Sequence, residues 1–592
     1  MSSDAETLEG KRPVAGKFVR SLRALLRSNE PALVAASALI GVVAAVSVTL
    51  MTKTAMFMHV LIFDLPFDER LSAADYVPPL AAFASLMLGG LSLGLMETYR
   101  LRKKLPGPVD PVEANALRGG QMSLRDSLVV GLQTLISNSC GASVGLEAGY
   151  AQVGSSLGSA LGQKLRLRRG DLRLLVGAGA AAAIGSAFGA PLTGAFYAFE
   201  VVLGSYSIAA AGPVFAGSIV GVLVTRFISG APYQIDTPPV QPLTLLGYPA
   251  LFGVAACAVV IGVTAMRLAG ASERALQATS APAWAKAVIG GAAVASLATI
   301  TPQVLGAGHG ALGLNISTDF PLTVLASFLA LKMVASLISL STGFRGGLFF
   351  ASLFMGATMG KIYGLALAAW LPAIAPDPTV CILAGMATLG VVIVGGPLTM
   401  SFLVLENTSD YSVTAGVFAA SILASLMVRA TFGFSFSTWR LHLRGENVRS
   451  ASDIGWMNEL KIGKLMRYNP PTAPAGLDIA EFCARHPLGS AQFVVLLDEA
   501  GRYAGMVNVA EAHVHAHRSE GGITSLARQK EVWLVPQMNA KTAMTLFDQT
   551  EADQLTVLDP ETKAPLGVLN EAYLARRYAE QADAAFRSAF GM

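Results

Sequence analysis

Glu147 is an ionisable residue set inside an apolar, glycine-rich run, Gly141-Ala-Ser-Val-Gly145 followed by Leu146-Glu-Ala-Gly149. Burying a carboxylate in such surroundings is costly, which makes it a functional candidate. A second run of the same kind spans Gly343–Phe350. Helix N-termini present N–H groups with partial positive charge, and glycine allows the backbone to approach an ion closely. Two such termini could hold a small anion without a full cation that would trap it. Ionised, Glu147 could occupy the anion's place and plug the path; protonated, it would leave. The plainer alternative is that Glu147 only caps its own helix.

The elements that must position these residues lie in the membrane. Apolar segments run almost continuously from Pro31 to about Phe432. The stretches 31–52 and 243–268 are long enough to span a bilayer, at about 20 residues. Others are short and broken by Gly or Pro: 141–163, 174–188, 191–203, 380–394 and 397–406. Irregular backbone survives at membrane depth only where protein buries it or a watery cavity meets it. Broken helices in both halves of a chain point to a binding site near the midplane.

The halves also repeat. Gly141, Gly145, Gly154 and Gly158 recur 202 residues later as Gly343, Gly347, Gly356 and Gly360. Gly189-Ala-Pro-Leu-Thr193 with Glu200 recurs 206 residues later as Gly395-Gly-Pro-Leu-Thr399 with Glu406. Two blocks in order, separated by a four-residue insertion, indicate an internal duplication. Glu200 and Glu406 hold equivalent places, which suggests structural pairing.

Composition fits this picture. Of 592 residues, 53% are hydrophobic and only 14% charged. A soluble domain carries roughly 25% charged residues. The net charge of +4 is too small and scattered for a nucleic-acid partner. Cys140, Cys257, Cys381 and Cys483 lie too far apart to signal a disulfide framework or a zinc site. Lys11, Arg12, Lys17, Arg20, Arg23 and Arg27 precede the first apolar run without a signal-peptide pattern, which places residues 1–30 in the cytoplasm by the positive-inside rule. Arg100, Arg102, Lys103 and Lys104 form a second basic cluster expected on that side; the cluster from Lys164 to Arg169 carries no assignment.

After about residue 450 the composition changes. A proline-bearing linker, Asn469–Pro474, leads into segments that read as helix, strand, strand, helix, with Phe493–Leu497 and Tyr503–Asn508 as a hairpin around Asp498–Arg502. The unit recurs as Leu555–Leu558, Pro565–Leu569 and a helix from Asn570. His513, His515 and His517 could share one face of a strand and bind zinc or nickel, but no further ligand completes a set, so no metal site is assigned and a solvated run is expected. His309, in a loop-like stretch, is expected to satisfy local backbone groups.

These residues carry a resemblance. Gly145-Leu-Glu-Ala-Gly149 is similar to the glycine–basic–Glu–Gly–Pro motif of the CLC anion channel and transporter family, with Glu147 at the gating glutamate. Gly346-Gly-Leu-Phe-Phe-Ala351 resembles its Gly-Gly-Ile-Phe-Ala-Pro motif, and Gly189–Gly194 its Ala-Pro-Leu-Ala-Gly segment. Gly107-Pro-Val-Asp-Pro111 stands where Gly-Ser-Gly-Ile-Pro is expected, and the tail resembles a pair of CBS domains. The resemblance runs from about residue 31 to 585. It implies a multi-pass α-helical CLC-type domain at 31–449, with halves of roughly 31–240 and 241–449. A small α/β tandem would follow, with modules at 450–530 and 531–592. It also implies a homodimer in the cell membrane, the bacterial inner membrane, with both termini cytoplasmic. Anions such as chloride would bind around Gly107, Pro108, Val109, Gly145, Leu146, Leu348, Phe349 and Ser437, with Glu147 as gate.

The departures bear on mechanism. Pro108 replaces a serine whose hydroxyl helps hold the central anion, and relatives with proline there favour nitrate. Ser437 replaces the central tyrosine, which should widen the inner gate. Ala148, Gly149 and Ala351 depart from the motifs. Val201 stands where antiporters carry an internal proton-relaying glutamate, so passive conduction is expected; proton-coupled anion exchange, with nitrate preference, is the alternative. Glu147, Asp110 and Glu200 are the proton-pathway candidates, with capping of the following helix as the plainer role of Asp110. No cofactor is expected beyond the anion. The CBS nucleotide pattern is degraded to Gly505–Glu511 and Gly567–Tyr573, leaving Asn508, Glu511 and Asn570 as candidate adenine-nucleotide contacts. A membrane enzyme would need motifs such as His-Glu-x-x-His or Gly-x-Ser-x-Gly, and neither occurs. A sensor on a transport-dead core is the third reading, against which Glu147 stands.

Overall fold

The structure is a computed structural model, and it describes residues 23, 26, 29–67, 69–230, 235, 238, 240, 243–444, 461–516 and 521–577. The chain divides into two units, Met1–Asp453 and Ile454–Met592.

The first unit is helical. Among the described residues, eight helices are long and apolar enough to cross a membrane. The first runs Glu30–Phe63, well past the expected 31–52, because neither Gly nor Pro interrupts Thr52–Phe63. Its surplus turns carry Ala55, Met56 and His59 to the wall of a cavity.

The duplication is visible in packing. The Glu147–Lys164 helix crosses the Arg169–Phe188 helix so closely that a methyl group on Gly154 or Gly158 would strike the carbonyls of Gly179 or Leu175. In the second half, the Phe349–Trp370 helix crosses the Pro378–Val394 helix the same way, with Gly356 and Gly360 against the carbonyls of Gly385 and Cys381. In a membrane, where lipid is as apolar as leucine, such close packing between helices supplies association that water would otherwise drive.

The two glutamates of the repeat are exchanged across the halves. Glu200 accepts hydrogen bonds from the N–H groups of Leu398 (2.9 Å) and Thr399 (2.8 Å) and from the Thr399 hydroxyl (2.6 Å). Glu406 accepts from Leu192 (2.7 Å), Thr193 (2.8 Å) and the Thr193 hydroxyl (2.7 Å). The helices they cap, Pro397–Thr408 and Pro191–Tyr197, both begin with proline, so the next two N–H groups are the orphans that need a partner.

Among the described residues, the second unit contains two three-stranded sheets. The first joins β2 (Thr472–Pro474), β3 (Phe493–Leu497) and β4 (Tyr503–Asn508); the second joins β1 (Arg467–Tyr468), β6 (Pro565–Asn570) and β5 (Gln554–Leu558). Both hairpins break register at matching places, Leu496/Leu497 and Val557/Leu558. Both turn on an aspartate, Asp498 or Asp559, whose carboxylate accepts main-chain N–H bonds at Arg502 and Ala500 or at Thr562 and Glu561. Those bonds hold both carboxyls below their usual range.

Two expectations need correction here. The stretch taken for a linker contains strand β2, which pairs in parallel with β3; proline is tolerated because the strand is at the sheet edge. A single cut at residue 530 also does not divide the modules. Ile462, Leu465 and Met466 pack with Leu534, Phe547 and Leu569, and β1 pairs with β6, so residues 462–468 complete the second module.

Candidate functional site

Glu147 is the first residue of its helix and is buried, 3% exposed. The loop before it is pinned throughout. Ser143 donates its N–H to the Ser339 hydroxyl (3.1 Å), and the Asn138 amide donates to the Val144 carbonyl (3.2 Å). Gly145 and Gly347, equivalent positions of the repeat, exchange N–H···O bonds of 2.9 and 3.1 Å. That pairing sets the N-terminus of the Glu147–Lys164 helix against that of the Phe349–Trp370 helix, whose first intrahelical bond runs from Ser352 N–H to Leu348 O (2.8 Å). The main-chain donors at Phe349–Ala351 precede that bond, as at any helix start. The Glu147 carboxylate folds back over Gly145, where a side chain would collide with Oε2.

Two cavities meet at this point. The larger, ≈ 500 Å³, is walled by Pro108, Asp110, Glu147, Tyr197, Val201, Leu348, Phe349 and Ser437, and by the charged residues Glu97, Arg100, Glu273, Lys286, Arg345, Arg440 and Arg444. The smaller, ≈ 70 Å³, is walled by His59, Arg70, Ser72, Leu146, Glu147, Tyr150 and His309. Among the described residues, Glu147 is the one the two walls share.

The candidate anion contacts divide accordingly. Pro108, Leu348, Phe349 and Ser437 meet at the larger cavity and Leu146 at the smaller. The N–H of Gly145 is used by Gly347. Val109 gives its carbonyl to the Gln152 amide (2.8 Å), which fixes the loop after the exposed Gly107. Asp110 lines the larger cavity and caps the Pro111–Leu117 helix through the Glu113 N–H (2.8 Å). Glu200 has its carboxylate in the cap described above, while its neighbour Val201 faces the cavity.

Sequence reasoning missed three residues. Lys332 is fully buried, and its ammonium donates to the carbonyls of Val304 (3.1 Å) and Gly306 (2.7 Å). A lone cation in the apolar run 322–342 was the signal that should have marked it. Arg345 had no such signal, since its place at the cavity depends on the chain reversal after Thr342. His309 corrects an expectation: it begins the His309–Ser317 helix, and its Nε2 stands 3.6 Å from Glu147 Oε1.

In the tail, Asn508 and Asn570 accept hydrogen bonds from Glu511 and Tyr573 N–H groups, both 3.2 Å, as helix caps. Glu511 pairs with Arg528 at 2.7 Å. His513 and His515 lie on the Val509–His515 helix, not a strand, so alternate positions diverge instead of sharing a face. His513 Nε2 lies 2.9 Å from the His486 carbonyl, and His517 lies outside the described residues.

Comparison with known proteins agrees with this architecture. Residues 88–429 match the family described as voltage gated chloride channel. The chain is 32% identical over 358 residues to a ClcB-like chloride channel protein of Ralstonia nicotianae, covering 58% of this chain and 81% of that one. It is 27% identical over 396 residues to the voltage-gated ClC-type chloride channel ClcB of Escherichia coli, covering 66% and 94%. Among solved structures, it resembles a slow cyanobacterial Cl⁻/H⁺ antiporter (TM-score 0.61, 19% identity, 70% of this chain and 99% of that one). It also resembles a eukaryotic CLC transporter (TM-score 0.57, 16% identity, 93% and 98%). A family match over more than half of the chain, laid on two related halves of broken helices, settles the assignment: this chain belongs to the voltage-gated chloride channel, or CLC, family of membrane anion channels and transporters.

Proposed function

We propose that the protein passes chloride or similar small monovalent anions through the two cavities, and that Glu147 is the gate between them. The observation that carries this reading is that, among the described residues, Glu147 alone is common to both walls, with its Oε2 buried and without a hydrogen-bond partner. Anions would rest at the helix start formed by Leu348 and Phe349, near Pro108 and Ser437, where amide dipoles attract negative charge without binding it irreversibly. Ionised Glu147 competes for that place; protonated, it leaves. Transport therefore rises as the pH falls.

The basic residues before the first apolar run and the Arg100–Lys104 cluster support a cytoplasmic position for those segments, in keeping with the positive-inside rule. A homodimer in the bacterial inner membrane, with cytoplasmic termini, belongs to the same reading. Passive conduction is favoured because the cavity wall carries Val201, which holds no proton, at the internal-glutamate position, and the short Ser437 at the central-tyrosine position. Proton-coupled anion exchange is the second reading, and Asp110 in the same wall is what favours it. Nitrate preference rests on Pro108, which has no donor to replace a serine hydroxyl. Pro108→Ser should move selectivity toward chloride, and an unchanged nitrate-to-chloride ratio would remove it from the filter.

Reversal potentials in reconstituted bilayers, with chloride and proton gradients varied separately, test the mode of transport. A reversal potential that follows chloride alone supports conduction. One that follows the proton gradient establishes coupled exchange instead.

A further inference from the structure

The smaller cavity holds titratable groups for which the transport reading has no use. His309 is mounted rigidly there. Its ring stacks on Phe350 with centroids 3.6 Å apart and planes at 20°. The two N–H groups that follow it, at Gly310 and Ala311, donate to the Ser72 hydroxyl at 3.0 and 3.2 Å. Lys332 clamps the preceding loop through Val304 and Gly306, and Lys361 clamps the far end of the helix by donating to the carbonyls of Asn315 and Thr318, both 2.6 Å. Gly308, just before the histidine, has φ +99°, and a side chain there would also press on Phe354, so the turn that aims the ring admits little else.

The ring is aimed at the gate. His309 Nε2 lies 3.6 Å from Glu147 Oε1, just beyond a hydrogen bond. We propose that His309 is a positioning residue for Glu147: it holds the carboxylate in its blocking place from the side of the smaller cavity, and so sets the pH at which the gate yields to that side. The proposal rests on Glu147 being the gate.

Several charged or titratable groups surround the pair. Glu147 is faced by His309, by Lys332 of the Leu322–Thr342 helix, by Tyr150 of its own helix and, across the larger cavity, by Tyr197 and Asp110. His309 is faced by Arg70, Lys332 and, from the first helix, His59. Arg70, Lys332 and His59 remain when His309 is replaced, so they set a common background against which its own contribution is read.

With the proton on Nε2, the ring presents an N–H to the carboxylate and favours its ionised, blocking form. Without it, the protonated, open form prevails at higher pH. Loss of a polar contact longer than a hydrogen bond corresponds to a shift of about half a pH unit, a roughly threefold change in the equilibrium.

The test is chloride flux from proteoliposomes of the full chain, with pH varied on each side separately. Reconstituted H309F keeps a ring on Phe350 but removes the nitrogen, and its half-maximal pH on the smaller-cavity side should rise by about half a unit. H309Q, which restores a polar contact, should recover most of that shift. H309L serves as a second nitrogen-free variant where H309F does not reconstitute. E147Q runs in parallel. Unchanged midpoints in H309F and H309L beside a flattened E147Q would overturn the role of His309 alone, as would H309Q shifting as far as H309F. A pH response retained in E147Q would overturn the gate reading and the proposal together.

Discussion

Gly145→Ala isolates the packing that seats the gate. Gly145 is not among the residues with positive φ, so alanine costs nothing in backbone conformation, and the substitution tests space alone. The added Cβ would overlap Glu147 Oε2, with Cδ at 2.9 Å and Oε1 at 3.3 Å. Relief requires movement on the order of 1 Å. The backbone of Gly145 is tied to Gly347 by two hydrogen bonds, whereas among the described residues Oε2 has none, and its residue lines a cavity on each side. The side chain therefore yields. Overpacking of this kind costs about 1–3 kcal/mol, which at 1.4 kcal/mol per decade lowers the ratio of blocking to open forms about 5- to 140-fold. Flux at high pH should rise by a factor in that range, toward the level of Glu147→Ala, and Gly145→Ala should add nothing in a Glu147→Ala background. Stopped-flow chloride efflux from proteoliposomes measures both. A Gly145→Ala protein that keeps the parent's pH profile, or that raises flux equally with and without Glu147, would refute the placement of the carboxylate over Gly145.

Glu200→Gln and Glu406→Gln should each destabilise the protein by about 1–3 kcal/mol, because each weakens a charge-assisted cap on the opposite half; similar losses of melting temperature in detergent are expected, and a loss confined to one variant would break the symmetry. Lys332→Met leaves the carbonyls of Val304 and Gly306 without their buried donor, at a cost of about 1–3 kcal/mol; thermal unfolding reads this, and an unchanged melting temperature would show that the ammonium does not hold the loop. In the tail, Phe482 is fully buried, so Phe482→Ala should cost about 3–5 kcal/mol in unfolding of that unit.

The sequence made the membrane architecture readable because hydropathy, glycine spacing and the repeated Pro-Leu-Thr segment all follow from local chemistry. The repeat even paired the right residues: the 202-residue offset relates Gly145 to Gly347, which bond to each other, and the 206-residue offset relates the two exchanged glutamates. What stayed hidden depends on distant contact. Nothing near His309 in the sequence announces Glu147, 162 positions away, and the loop-like glycines around it concealed a helix start. Lys332 was readable as an intramembrane cation but not as a clamp, since its acceptors lie 28 and 26 residues earlier on another turn of the chain. In the tail, a two-residue strand with both side chains exposed left no periodicity, so the contribution of residues 467–468 to the second sheet appears only in three dimensions.

Competition between a free anion and the Glu147 carboxylate is most directly tested by equilibrium chloride binding to the purified protein across a pH series. Affinity should fall as pH rises in the parent protein and become indifferent to pH in Glu147→Ala. Binding that ignores pH in the parent, or that keeps its pH dependence after Glu147 is removed, would mean that the anion and this side chain do not share a place.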